Sequence, residues 1–154
     1  MERKLREKLP GGKFPEVLPN HRKLMQGVRG KRNKTTELRI RAALMRAGVR
    51  GWKLNYRVIK GSPDIFFLTE NIAVFLDGCF WHGCETCGHI PKKNSDFWRA
   101  KITRNKERDD LNNISLTEAG ITVIRFWEHE INKSLLSCIE KIIMTIHSKN
   151  NKPS

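Results

Sequence analysis

Three of the four cysteines in this chain of 154 residues fall within one short segment, at Cys79, Cys84 and Cys87. Free thiols at this spacing are typical of a metal site, because a cluster so tight in sequence brings several thiolates onto one ion. A closed structural zinc site takes four protein ligands, so one more must come from elsewhere. His129 would tie the cysteine loop to the core, and His89 is the nearer alternative. We expect a zinc site made of the three cysteines and His129.

The net charge of +14 is concentrated in the first part of the chain. Residues 1–60 contain 18 Lys and Arg against 4 Asp and Glu, whereas residues 61–154 contain 12 of each. A surface of this kind attracts a polyanion, and nucleic acid is the leading candidate. No apolar run approaches the ~20 residues of a membrane span, and the charged N-terminus lacks the apolar segment of a secretory signal. These patterns predict a cytoplasmic protein without membrane contact.

The apolar patterns predict one α/β domain, in which helices flank a mixed central sheet. It should occupy residues 21–148, between a flexible basic arm at 1–20, rich in proline and glycine, and a tail at 149–154. Residues 64–68 and 72–76 should form a central hairpin, with further strands at 54–59 and 121–127. Helices are expected from about residue 95 to 120 and over 131–146, where Cys138 should be buried. An earlier helix from about residue 35 to 48 should face the core through Leu38, Ala42, Leu44, Met45 and Val49.

Two aspartates stand at the ends of the predicted hairpin strands. Pro63-Asp64 opens one strand and Asp77 closes the next. Carboxylates at neighbouring strand ends can share a hard cation such as Mg²⁺, which prefers oxygen ligands and activates water, although aspartates there are more often turn formers. His82 is a candidate general base, because histidine ordinarily exchanges protons near neutral pH.

Phe80 and Trp81 stand in the cysteine loop, where no helix or strand pattern assigns them to a core. An exposed aromatic pair in a basic protein can be pushed between stacked bases. The alternative is that the pair only covers the zinc loop.

These residues together resemble the very short patch repair endonucleases over about two-thirds of the chain, from Met25 to Glu128. The resemblance rests on five segments: Met25 to Glu37 with its Val-Arg-Gly-Lys, Pro63-Asp64-Ile65, Phe75-Leu-Asp-Gly-Cys-Phe-Trp-His82, Asp96-Phe-Trp through Asn105-Lys-Glu-Arg-Asp109, and Phe126-Trp-Glu128. Gly-Cys-Phe-Trp-His is the most specific string. The fold implied by the resemblance is the PD-(D/E)XK restriction-endonuclease-like core with a structural zinc site.

The resemblance also implies roles for individual residues. It makes Asp64 the central Mg²⁺ ligand together with the Leu76 carbonyl, Glu37 the residue that holds metal-bound water, and His82 the base. It places Met25, Phe80, Trp81, Asn105 and Arg108 on the DNA. The expected reaction is nicking of one strand of double-stranded DNA beside a T:G mismatch. The resemblance implies a monomeric, nucleoid-associated bacterial protein, for which mismatch-repair proteins are candidate partners.

Three departures from the family pattern bear on these expectations. Asp77 stands where the best-described members have a second histidine, and His129 stands where they have a cysteine. One extra residue lies between Lys31 and Glu37. Two alternative functions therefore stay open: a restriction or phage-defence endonuclease that cuts intact or modified DNA, and a zinc-stapled DNA-binding module without cleavage.

Overall fold

The computed structural model describes residues 35–152, and they form a sheet covered by helices on both faces. Helix α1 covers 35–46 in the described part of the chain. Strands β1, β2 and β3 follow at Trp52–Leu54, Ile65–Phe67 and Ile72–Asp77. Helix α2 spans Ser95–Glu118, strand β4 Thr122–Trp127, and helices α3 and α4 cover Glu128–Lys133 and Leu135–Asn150. Within these described residues, no helix is both long and apolar enough to cross a membrane.

The sheet has the order β1-β2-β3-β4 and is mixed, as predicted. β2 pairs with β1 and β3 in antiparallel fashion, whereas β3 pairs with β4 in parallel. The unbroken apolar runs of β2 and β3 are buried because both faces of the sheet are covered. One core layer lies between the sheet and helices α1 and α4, and a smaller layer holds Phe66, Ala73, Phe75 and Leu116 of α2. Successive strand side chains alternate between these layers.

Helix α1 uses a different face from the predicted one. Its buried residues are Thr36, Ile40 and Leu44, whereas Leu38 and Met45 are 56% and 60% exposed. Both sets recur at helical spacing, so periodicity alone could not choose between them. The prediction was right for Leu44 and wrong for Leu38, Ala42 and Met45, because packing against the sheet selected the stripe that contains Ile40 and Leu44.

Two other element predictions also need correction. The strand predicted at 54–59 is β1 at Trp52–Leu54, because Asn55 adopts a left-handed φ of 47° and leaves the extended conformation. The single helix predicted over 131–146 is two helices that meet at Ser134, whose side chain accepts a hydrogen bond from the Ser137 N–H. That hydroxyl favours a new helix start over continuation. Cys138 is buried in α4 as expected.

Candidate active site and metal centre

Asp64 lies immediately before β2 and faces the end of β3. Its Oδ2 accepts a hydrogen bond from the Leu76 N–H at 2.7 Å. Burial, together with the negative charges of Glu37 and Asp77, raises the pKa of Asp64 to about 6 against the lowering effects of that hydrogen bond and of His82. The structure therefore gathers three acidic side chains that were predicted to act together, from α1, the start of β2 and the end of β3. Such a cluster is electrostatically suited to a divalent cation with oxygen ligands.

Glu37 extends from α1 toward this cluster and remains partly exposed. Its carboxylate is 4.0 Å from Arg41 of the same helix. A surface contact of this length constrains Glu37 only weakly. The negative charge of Glu37 contributes to the raised pKa of Asp64, so the two carboxyl groups are neighbours in the site.

His82 lies between two carboxylates. Its Nδ1 is 2.5 Å from Asp109 Oδ2 and 3.7 Å from Asp77 Oδ1. The short contact to Asp109 of α2 fixes the ring and is compatible with a proton on Nδ1, which leaves Nε2 as the acceptor. Although burial opposes ionisation, the hydrogen bond and charge of His82 and the charges of Arg125 and Arg108 lower the pKa of Asp109 below its usual value.

Asp109 and Arg125 are site residues that sequence reasoning did not single out. Asp109 appeared only as a letter of the family pattern, and Arg125 appeared inside a predicted strand. Arg125 Nη1 lies 2.9 Å from both carboxylate oxygens of Asp77. A charged residue inside an otherwise apolar strand was the available signal, since buried charges are ordinarily paired.

The aromatic loop after β3 packs against α2. Phe80 and Trp81 are half-buried rather than exposed, and both contact the buried Trp98, with ring centroids 5.4 and 5.9 Å away. The Lys101 ammonium is 4.7 Å from the Trp81 ring. Asn105 is buried and donates a hydrogen bond to the Trp81 carbonyl at 2.9 Å. The two aromatics therefore have partners within the protein, and both remain partly exposed.

Gly83 allows this loop to lie directly on α2. Its φ is +66°, and an added Cβ would come within 2.6 Å of Ile102 Cγ2. A larger residue would require the loop or the α2 side chains to shift, and it would be strained at this φ.

Three other residues were predicted to contact DNA, namely Arg108, Asn105 and Met25. Arg108 is partly exposed on α2, with its Nη2 3.6 Å from Asp109 Oδ1. The Oδ1 of Asn105 is buried without a hydrogen-bond partner among the described residues. The Nδ2 of Asn105 donates to the Trp81 carbonyl, so in this conformation Asn105 positions the Trp81 backbone. Met25 lies outside the described residues. The DNA contacts of all three stay predictions.

Cys79, Cys84, Cys87 and His129 converge with all their ligand atoms within 4.8 Å of one another. His129 Nδ1 is 3.3, 3.5 and 3.4 Å from the three sulfur atoms, and the Cys84 and Cys87 sulfurs are 3.7 Å apart. A tetrahedral zinc ion requires edges of about 3.8 Å between sulfurs and about 3.5 Å between sulfur and nitrogen. The four residues can hold such an ion, and His89 is outside the group.

The thiols of Cys79 and Cys84 differ in acidity without a metal ion. Burial and the neighbouring Cys87 raise the pKa of the Cys79 thiol to about 12. Burial acts in the same direction on Cys84, but hydrogen bonds from the backbone of Cys87 and Thr86 lower the pKa of its thiol to about 7. A zinc ion bound here would displace the thiol protons, because zinc takes thiolate ligands.

Comparisons with known proteins assign this chain to a family. A family model described as DNA mismatch endonuclease Vsr matches residues 18–88. The type II nicking enzyme V.NaeI of Lentzea aerocolonigenes is 36% identical over 141 residues, which cover 88% of this chain and 82% of the relative. The chain belongs to the Vsr family of DNA endonucleases.

Two further relatives in the Vsr family are similar over shorter stretches. The type II nicking enzyme V.NmeAIP of Neisseria meningitidis serogroup A is 42% identical over 69% of this chain and 75% of the relative. The DNA mismatch endonuclease Vsr of Escherichia coli K12 is 34% identical over 51% of this chain and 53% of the relative. Membership confirms the predicted family, the PD-(D/E)XK fold and DNA endonuclease activity that nicks a strand. The non-catalytic alternative was therefore wrong.

Proposed function

We propose that this Vsr-family endonuclease nicks one strand of double-stranded DNA beside a T:G mismatch and depends on Mg²⁺. The observation that carries the proposal is the position of the partly buried Asp64 carboxylate, which accepts a hydrogen bond from the Leu76 N–H and lies near the charges of Glu37 and Asp77. A carboxylate whose pKa is raised by desolvation and by neighbouring carboxylates is stabilised in its charged form by a divalent cation.

Asp64 and the Leu76 carbonyl would hold the cation, with Glu37 on its water. The Leu76 N–H already points at Asp64, and in a strand the N–H and C=O of one residue point to the same side. Mg²⁺ supplies charge stabilisation at the phosphate and a more acidic water. These residues fit Mg²⁺ because all of them offer oxygen donors, which are the ligands that Mg²⁺ prefers.

His82 is the proposed general base. Asp109 holds Nδ1, so Nε2 accepts the proton that leaves the attacking water as oxygen bonds to phosphorus and the bond to the departing strand end breaks. Asp109 also stabilises the imidazolium that results, as a carboxylate partner does in other histidine bases.

Phe80 and Trp81 are the proposed source of mismatch selectivity. A mismatched base step costs less to unstack than a paired one, so inserted aromatics favour the T:G site. Their support from Trp98 keeps the pair rigid, which reduces the entropy lost on insertion.

The Cys3His group is proposed to hold a structural zinc ion. It joins the loop that carries the aromatic pair and His82 to the first turn of α3, where His129 lies. Since all four ligand positions come from protein, the site has the closed form of structural zinc centres rather than the open form of catalytic ones.

The test is a nicking assay on a T:G duplex and its fully paired twin, with and without Mg²⁺ in the buffer. We expect single-strand cleavage of the T:G duplex only when Mg²⁺ is present. Equal cleavage of both duplexes would refute the mismatch specificity, and cleavage without added divalent cation would refute the metal assignment.

One observation favours a second candidate. Several relatives are named type II nicking enzymes rather than mismatch endonucleases. Action on intact or modified DNA, as in restriction or phage defence, would therefore appear in the same assay as nicking of the paired duplex. A monomeric state, nucleoid association and contact with mismatch-repair proteins remain predictions.

A further inference from the structure

Asp77 is engaged in a contact that competes with metal binding. Its side chain is buried at the end of β3, and both of its oxygens lie 2.9 Å from Arg125 Nη1. Arg125 therefore makes two charge-assisted hydrogen bonds to Asp77 from a single nitrogen atom. Any cation bound by Asp77 would have to share these two oxygens with Arg125, whose positive charge would repel it.

Arg125 is itself fixed from three directions. Its Nε donates a hydrogen bond to Asn113 Oδ1 of α2 at 2.8 Å, and its guanidinium carbon lies 4.2 Å from the centre of the Phe75 ring. Nη2 is 3.9 Å from Asp109 Oδ1. Arg125 is opposite Phe75 in the parallel β3–β4 pair, so Arg125, Phe75 and Asp77 share the sheet face that α2 covers.

The two carboxylates that contact Arg125 are also the two that contact His82. Asp109 and Asp77 lie 2.5 and 3.7 Å from His82 Nδ1. Two carboxylates on one imidazole nitrogen repel each other unless a cation joins them. Arg125 is a cation that contacts both carboxylates, and Asp109 alone makes the short bond to His82.

We propose that Arg125 is a positioning residue of the nuclease, which acts through Asp77 and Asp109 to orient the His82 ring, and that Asp77 serves as the anchor of Arg125 rather than as a metal ligand. The proposal rests on the proposed role of His82 as the base. It assigns the aspartate at the end of β3 a function different from that of Asp64, although both belong to the same acidic cluster.

Four variants of the full chain test the proposal: Arg125→Met, Arg125→Lys, Asp77→Asn and the double variant Asp77→Asn/Arg125→Met. Arg125→Met removes the cation that Asp77 and Asp109 share, and misplacement of the base by a fraction of an ångström should slow single-turnover nicking by about 10–100-fold. The double variant removes the excess charge and should be at least about tenfold faster than Arg125→Met. Arg125→Lys should be intermediate, because it keeps the charge but not the fork of donors.

The dependence on Mg²⁺ separates an anchor from a ligand. Asp77→Asn should keep the wild-type Mg²⁺ half-saturation within about twofold and lose less than about tenfold in rate, since an amide oxygen still accepts from Arg125. A half-saturation raised tenfold or more in Asp77→Asn would identify Asp77 as a metal ligand and overturn the proposal. This arm decides the matter even if Arg125→Met does not fold. A double variant no faster than a folded Arg125→Met would also overturn it.

A measurement independent of activity reads the orientation of His82 directly. In the wild-type protein, the nitrogen-15 shifts of the His82 ring should show the proton on Nδ1, toward Asp109. In Arg125→Met they should show a mixture of tautomers, and unchanged shifts would count against positioning. This result stands even if the wild-type protein fails to nick a T:G duplex, so failure of the proposed function and failure of this inference can be distinguished.

Lys141→Met provides the matched control. The Lys141 ammonium lies 5.6 Å from the ring of Phe126, the next residue of the same strand, on the other face of the sheet. Lys141→Met removes one cation that lies beside an aromatic residue of β4, and it leaves the residues of the site unchanged. Nicking rate and His82 shifts should equal those of the wild-type protein, and a loss comparable to that of Arg125→Met would show a general effect on β4 instead of positioning.

Discussion

Asp64 is expected to lower the stability of the metal-free protein at neutral pH. Its pKa rises from 3.8 to about 6 on folding. Between these two pH values the folded protein binds more protons than the unfolded chain. The free energy of unfolding therefore falls as pH rises through this window. The contribution of Asp64 to stability is lowest above pH 6. A shift of this size corresponds to about 3 kcal/mol at most.

Asp64→Asn should therefore raise the free energy of unfolding by about 1–3 kcal/mol at neutral pH in buffer without Mg²⁺, and should abolish nicking. Urea denaturation between acidic and neutral pH provides the measurement. The gain should disappear at low pH, where wild-type Asp64 is protonated. Full nicking activity, or a loss of stability at neutral pH, would contradict the assignment of Asp64.

At the scale of elements, the loop between β3 and α2 brings together the aromatic pair, the base and three of the metal ligands. Its position is set by close contact with α2 at Gly83 and by the hydrogen bond from Asn105 to Trp81. A loop anchored in this way can present aromatic side chains with little loss of entropy on binding. With the proposed roles, recognition and chemistry would depend on the same segment.

Replacing both Phe80 and Trp81 with alanine should reduce the preference for a T:G duplex over its paired twin by about tenfold or more, because a few kcal/mol of unstacking then lacks compensation. Background affinity should hardly change, since lysines and arginines supply it. Fluorescence of 2-aminopurine beside the mismatch should no longer rise on binding. Phe97→Ala is the control, since Phe97 packs on the same Trp98 from α2. If the double variant kept the full preference for the T:G duplex, the pair would only cover the zinc loop and would not select the mismatch.

The four-residue metal centre gives a matched pair of cysteine variants. Cys84→Ser should lose the bound zinc and the cooperative unfolding transition, because binding of a structural ion is coupled to folding. Cys138→Ser changes another buried cysteine, in α4 and outside the ligand group, and should retain one zinc per chain. Metal analysis and thermal unfolding of both proteins supply the comparison. A folded Cys84→Ser protein without metal would show that the ion is dispensable.

At the scale of the whole molecule, the charge of +14 predicts strong dependence of DNA binding on salt. Each phosphate neutralised by Lys or Arg releases counterions, so the logarithm of the binding constant should fall linearly with the logarithm of salt concentration. Paired and T:G duplexes should show similar slopes, since phosphate contacts do not read sequence. Titration of both duplexes over a series of salt concentrations gives the slopes. A binding constant that does not change with salt would exclude the basic surface from DNA binding.

Features that depend on neighbours in sequence could be predicted from the sequence. The apolar runs of β2 and β3, the cysteine spacing and the family pattern around His82 are local, because each results from consecutive residues with one periodicity or one ligand type. For the same reason, the exposed and buried stripes of α1 were confused, since both satisfy helical spacing. The break at Ser134 was missed because the apolar pattern runs across it.

The tertiary structure decided which distant residues meet. His129 rather than His89 joins the cysteines, Asp109 binds His82 from 27 residues away, and Arg125 binds Asp77 from 48 residues away. These contacts exist because β4 lies parallel to β3, with Asp77 opposite Trp127, and because α2 packs across the face that Asp77 and Arg125 share. Sequence patterns report the composition of each element, whereas the pairing of charges follows from packing between elements, which only the folded chain determines.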